Sequence, residues 1–159
     1  MNQETHNINE ISLHSQATFN ILVKYELMRV QRYPNPVTLL HISLNLMETN
    51  PETSTKLKRL FVEILNSGLR ASDIPAHYGE DYLVLMPATN EAGGTVVAKR
   101  LIDKLTEVKE FATGHVHIGI ASYSGGQDIS AGKLIEQAKS ALQEARQVGP
   151  HAYLQYFGK

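Results

Sequence analysis

An α+β fold of the palm or ferredoxin-like type, with helices packed on a central, mainly antiparallel five-stranded sheet, is what this sequence predicts. Three observations predict it. Helical apolar spacing alternates with β-rich runs along the chain from about residue 10 onward. Two apolar segments, 76–78 and 82–86, flank a tight polar link at Gly79, which reads as a β-hairpin and demands antiparallel neighbours. The length of 159 residues, 42% of them hydrophobic, suits one domain that buries a core without metal or disulfide staples.

The elements follow in order. Residues 1–9 are Asn-rich and polar and are expected to fray, which leaves 10–159 as the folded domain. A helix is predicted over 12–32, where Leu13, Ala17, Phe19, Ile21, Leu22, Tyr25, Met28 and Val30 recur at helical spacing. Tyr33-Pro34-Asn35-Pro36 ends it, because proline lacks an N–H and restricts its predecessor. Residues 37–46 read as a buried strand. Asn50-Pro51-Glu52-Thr53 starts a second helix with Leu57, Leu60, Phe61, Ile64 and Leu65 on its apolar side, and Gly68 stops it. After the hairpin, a helix is predicted over 91–108, a strand over 115–122, a helix over 129–148 that Gly149-Pro150 ends, and a last strand over 152–157.

Composition excludes several functions. With no cysteine there is no thiol catalysis, thiolate metal site or disulfide. Fifteen basic against sixteen acidic residues, a formal charge of -1, argue against bulk DNA, RNA or anionic-membrane binding. A few placed arginines can still hold one small nucleotide. No secretory signal or bilayer-length apolar run is evident, so a cytoplasmic protein is expected. His115 and His117 share one strand face and, with His151, pose the question of a metal pair; with no third ligand at matching spacing they read as two partly buried or edge histidines, and no metal is assigned. Gly93-Gly94 and Gly125-Gly126 lack the Lys-Ser/Thr of a phosphate loop. Tyr153, Tyr156 and Phe157 fit a contact surface or core packing, and Lys56, Lys58 and Arg59 read as a solvated basic run.

The run from Arg70 to Pro87, RASDIPAHYGEDYLVLMP, resembles the GGDEF domain of bacterial diguanylate cyclases, where R-x-x-D precedes R-Y-G-G-[DE]-E-F and an apolar strand ending in Pro. Four more landmarks occur in order: Leu13 to Phe19 looks like L-x-N-R-x-x-F, Pro36 to Ser43 like P-L-S-L-L-L-L-D-I-D, His117 to Ala121 like S-I-G-V-A, and Leu134 to Gly149 like L-I-x-x-A-D-x-A-L-Y-x-A-K-x-x-G. Family enzymes join two GTP molecules into cyclic di-GMP using two divalent metals.

The departures from that pattern fall on its catalytic positions. Where the family has its two metal-binding aspartates, this chain has His41 and Ser43. The phosphate-contacting lysine falls near Leu46, the guanine-reading segment is about three residues shorter over 47–55, and G-G-D-E-F becomes Gly79-Glu80-Asp81-Tyr82 with one glycine missing. The closing G-R-N becomes Gly149-Pro150-His151. The resemblance therefore implies an inactive cyclase. Glu80 and Asp81 read as two polar turn residues, or as remnants of a metal site.

The resemblance also implies a second site. Many family members bind the product at R-x-x-D with another arginine on the following helix; Arg70, Asp73 and Arg100 fall at those positions. Guanidinium groups suit guanine edges, base faces and phosphate, and a carboxylate suits guanine N–H donors. Asp73 could equally pair with or cap Arg70. Three functions are expected on these grounds: a cyclic di-GMP receptor that needs no cofactor and acts on an output protein, with a homodimer possible because family inhibitory sites often bridge two domains; a protein-interaction module without nucleotide binding; and a residual GTP-binding enzyme using Glu80 and Asp81.

Overall fold

A computed structural model describes residues 13–46, 50–111 and 115–157. The expected frayed segment 1–9, the predicted helix start at residue 12 and residues 47–49 of the shortened loop lie outside the described residues. The order is α1 (Gln16–Arg32), β1 (Val37–Asn45), α2 (Pro51–Gly68), β2 (Ile74–Tyr78), β3 (Asp81–Pro87), α3 (Glu91–Thr106), a 3-10 turn (Lys109–Phe111), β4 (His115–Tyr123), α4 (Ala131–Ala145) and β5 (His151–Gln155).

Each of the four α-helices among the described residues starts on a side chain that accepts the N–H three residues on: Ser15 from Thr18, Asn50 from Thr53, Asn90 from Gly93 and Ser130 from Lys133. Such caps contribute about 1 kcal/mol each. They also place the helix starts. The first helix begins at Gln16 rather than near residue 12, because Leu13 and His14 are spent elsewhere. His14 forms a parallel bridge to Ala76 on the edge strand, its N–H donating to the Pro75 carbonyl at 3.2 Å and its carbonyl accepting from His77 N–H at 3.1 Å.

The sheet order is β2-β3-β1-β4-β5, antiparallel except for the parallel β4–β5 pair. Strand alternation sends Leu40, Ile42, Val84, Met86, Ile118 and Ile120 to one face, under α2 and α3. The other face carries Val37, Leu39, Leu83, Leu85, Ala121 and Tyr123, under α1 and α4. Fully burying one such Leu, Ile or Phe side chain stabilises by about 1.5–3 kcal/mol.

Helix α1 shows which of its apolar residues turn inward. Its inward residues are Phe19, Val23, Leu27 and Val30, while Ile21, Tyr25 and Met28 face solvent. The i, i+4, i+8 line of Phe19, Val23 and Leu27 seats the bulkiest set on the sheet. Two close approaches fix the layers. A Cβ on Gly94 would come within 2.6 Å of Thr38 Cγ2, and one on Gly119 within 2.1 Å of the Ala138 carbonyl oxygen.

Candidate functional site

Two clusters of polar side chains sit at opposite ends of the central strands. The first lies at the hairpin tip. His41 and Ser43 on β1, Asp81 on β3, and His115 and His117 on β4 occupy alternating positions of the face that α4 covers. All of them but the buried His41 line a cleft of 610 Å³ that also takes in Ser54, Lys58, Glu80 and Arg146.

The hairpin turn has two residues, Gly79 and Glu80, with Tyr78 paired to Asp81. Gly79 has φ +62° and Glu80 does not enter the left-handed region, the signature of a turn with glycine first. One glycine fewer thus closes into a regular two-residue turn and keeps β2 and β3 in register. Asp81 becomes the first residue of β3. It is not simply a turn residue, as the sequence suggested: its Oδ2 accepts from His41 Nε2 at 2.9 Å. His41 is 1% exposed, its ring stands edge-on to Tyr78 at 5.5 Å, and its Nδ1 is buried without a hydrogen-bond partner. Glu80 does stay in solvent, 4.0 Å from Lys58, a separation at which an exposed pair contributes little. Tyr82 packs on Phe61 at 4.7 Å between ring centres. Burial first, then the Asp81 and Glu80 carboxylates, pushes its hydroxyl above the usual range, so it stays neutral.

Ser43 is likewise engaged. Arg146, just past α4, donates from Nη2 to Ser43 Oγ at 2.8 Å. Sequence reasoning missed Arg146, although it falls where the A-K-x-x-G pattern has its lysine. Lys58 also belongs to this cleft rather than to a merely solvated run. The donor set suits a magnesium pair poorly. Mg²⁺ selects hard carboxylate oxygens; here an imidazole holds Asp81, and a guanidinium stands against the Ser43 hydroxyl.

The three histidines meet at the cleft wall. His115 lies 6.2 Å from His117 and 6.1 Å from His151, ring centre to ring centre. His117 Nε2 donates to the Gly149 carbonyl at 2.6 Å, and His151 Nδ1 accepts from Val116 N–H at 3.3 Å. Among the described residues no group of three or more His, Asp or Glu side chains is arranged to hold a metal ion. Burial first, then His115 and His117, lowers the His151 pKa below its ordinary 6.5. The unfolded chain therefore binds a proton at His151 more readily than the folded one, and folding stability falls as pH drops below 6.5 toward the lowered value. Urea midpoints measured between pH 7.5 and 5.5 should decline, and His151→Gln should make that decline shallower. An unchanged slope would show that His151 is not the group responsible.

The second cluster gathers just past the end of α2, against the loop leading into α3 and the middle of that helix. Asp73 Oδ2 accepts the Arg70 N–H at 2.8 Å, and Oδ1 lies 3.7 Å from Arg70 Nη2, close enough for charge attraction but too far for a hydrogen bond. The Asp73 side chain is fully buried, whereas that of Arg70 is 54% exposed. Arg70 Nη2 also donates to Thr89 Oγ1 and, at 3.4 Å, to the Pro87 carbonyl. Arg100 Nη2 donates to the Gly68 carbonyl at 2.9 Å, satisfying one of the orphan acceptors at the end of α2. The structure thus brings Arg70, Asp73 and Arg100 to one corner, at the far end of β3 from the cleft. Asp73 there supports Arg70 from within rather than facing solvent.

Comparison with known proteins places the chain in a family. The family model described as "Diguanylate cyclase, GGDEF domain" matches residues 56–151. No curated protein matches the sequence. Among solved structures, the active GGEEF domain of a diguanylate cyclase from Vibrio cholerae superimposes with a TM-score of 0.83 at 13% identity, covering 93% of this chain and 100% of that one. The GGDEF domain of DgcB from Caulobacter crescentus in complex with c-di-GMP gives 0.75 at 17% identity, covering 91% of each chain. The diguanylate cyclase SiaD from Pseudomonas aeruginosa, in complex with its activator SiaC, gives 0.78 at 17% identity, covering 96% of this chain and 66% of that one. Among the described residues no helix is long and apolar enough to cross a membrane. With the family model spanning more than half its length, this chain belongs to the GGDEF family.

Proposed function

We propose that this chain is a catalytically silent GGDEF domain that binds cyclic di-GMP at Arg70 and Arg100 and passes that signal to a protein partner in the cytoplasm. What supports the silence is the fate of the two positions where the family has metal aspartates. His41 is buried and bonded to Asp81, and Ser43 is bonded to Arg146. The guanidinium there opposes two bound divalent cations electrostatically, and the imidazole offers them no hard oxygen. No catalytic step is assigned to Glu80 or Asp81.

The observation that carries the receptor reading is that Arg70, half exposed and held by buried Asp73, lies two residues past Gly68, whose carbonyl Arg100 engages. In this arrangement Asp73 acts as the positioning residue, and the two guanidinium groups meet guanine and phosphate. A relative's complex with c-di-GMP is compatible with this ligand class. A second reading, a protein-interaction module with no nucleotide, draws on a specific observation too: Arg70 and Arg100 already donate to Thr89, the Pro87 carbonyl and the Gly68 carbonyl.

Calorimetric titration separates them. Cyclic di-GMP should release or absorb heat with the native chain and not with Arg70→Ala. Silence of the native chain at high micromolar ligand would favour the second reading, and binding that survives the substitution would move the site elsewhere. Incubation with GTP and Mg²⁺ is expected to yield no cyclic product; its appearance would overturn the proposed inactivity.

A further inference from the structure

Helix α1 is apolar on two sides. Opposite its buried stripe, Ile21, Tyr25 and Met28 are 53%, 62% and 57% exposed, and Tyr33 just beyond the helix is 64% exposed. Among the described residues these are four of the seven large apolar side chains left in solvent. Positions 21, 25 and 28 follow i, i+4, i+7 and so form one line, the pattern of a helix that packs on both sides. Single exposed apolar residues need no explanation, but a contiguous line on one element does.

The Tyr25 and Met28 end of that line borders a groove. Two adjoining clefts, of 480 and 710 Å³, share Met28, Gln31 and Asp128 and run between the C-terminal half of α1 and the loop entering α4, where Ile129 is half-buried. The loop is pinned to the helix. Gln31 Nε2 donates to the Tyr123 hydroxyl at 2.6 Å, which donates in turn to the Gln127 carbonyl at 2.8 Å. Lys24 stands on one flank and Arg32 on the other, and among the described residues neither has an ion pair; Arg29 is already held by Glu26 at 2.7 Å. Asp128 is the acid that lines the groove. In a chain of formal charge -1, this is a local excess of uncommitted cations beside an apolar line. A second copy does not answer it. Glu26 is the one acid in α1, and Arg29 occupies it, so stripe-to-stripe pairing of two α1 helices sets like charges against each other.

The geometry points to this groove as the docking site for an acidic amphipathic helix of a partner protein. Its apolar face would lie on Tyr25, Met28 and Ile129, and its carboxylates would meet Lys24 and Arg32. A methionine and tyrosines suit such a surface, the first by adapting its shape and the others by offering large area at low entropy cost. The inference rests on reading the chain as a domain that works through a protein partner, and it adds the partner's chemistry and seat.

The test uses the full chain and two fluorescent synthetic helices of about five turns, identical except that glutamates flank the leucine stripe in one and lysines in the other. The acidic peptide should bind with a Kd on the order of 10 μM, as a small interface allows, and the lysine-flanked one should not bind. The double variant Lys24→Glu, Arg32→Glu should weaken the acidic peptide by at least about tenfold with an unchanged melting temperature. Three results overturn the inference: no acidic-peptide binding up to about 1 mM, equal binding of both peptides, or a wild-type dimer in sedimentation that Met28→Ser dissolves. The assay contains no nucleotide. A failed cyclic di-GMP titration therefore leaves it intact, and a failed peptide titration leaves the nucleotide site intact.

Discussion

Replacing Gly119 with alanine is expected to lower the melting temperature by about 10 °C, the equivalent of about 3 kcal/mol in a chain of this size. The reason is distance. A Cβ at 119 would fall 2.1 Å from the Ala138 carbonyl oxygen and 2.3 Å from the Leu142 amide nitrogen. Both neighbours are helix backbone, so no rotamer change relieves the clash; α4 must lift off β4. Lifting α4 also draws Arg146 away from Ser43 and opens the cleft wall. Gly149→Ala is the control, because a Cβ there meets nothing within 4 Å. Thermal melts followed by circular dichroism decide the matter. A Gly119→Ala midpoint within about 2 °C of wild type would mean that β4 and α4 are not packed backbone to backbone.

Asp73→Ala is expected to destabilise the ligand-free chain by about 2–3 kcal/mol, the range for losing hydrogen bonds to a buried charged group. The substitution orphans the Arg70 N–H and removes the charge opposite its guanidinium. Asp73→Asn should cost less, since its side-chain oxygen can still accept the Arg70 N–H. Urea unfolding without nucleotide measures both. A stability change under about 0.5 kcal/mol for the alanine variant would show that Asp73 is free to serve a ligand directly. This outcome matters for the arginine corner. If Asp73 is structural, then Asp73→Ala weakens cyclic di-GMP binding by disordering Arg70, and Asp73→Asn restores some of it.

The sequence made the element order and the mainly antiparallel sheet legible, because helical and strand periodicities are local and each run had a proline, glycine or cap beside it. Phase was less legible. Ile21, Tyr25 and Met28 fit a helical repeat as well as Phe19, Val23 and Leu27 do, and the side that turns inward is decided by what the sheet offers. The cleft was half visible. His41 and Ser43 stood out as replacements, yet the bond from His41 to Asp81 depends on register: His41 faces Leu83, and Asp81 reaches it from two residues along the same face. Arg146 joins Ser43 across 103 residues of sequence, a separation that no local pattern encodes. Asp73 read as a ligand group or as a partner of Arg70, and spacing alone says nothing of the burial its side chain has.

The short parallel bridge at His14 has a mechanical consequence. Two backbone hydrogen bonds tie residue 14 to Pro75 and His77, and β2 begins at Ile74, directly after Asp73. α1 starts at Gln16, two residues from the same tie. A pull or twist on the chain ahead of α1 thus loads, together with Leu13 where it packs on the core, the strand that anchors the Asp73–Arg70 turn. Hydrogen bonds along a strand resist shear together but break singly when peeled from an end, so the direction of that pull decides whether the arginine corner is held or released.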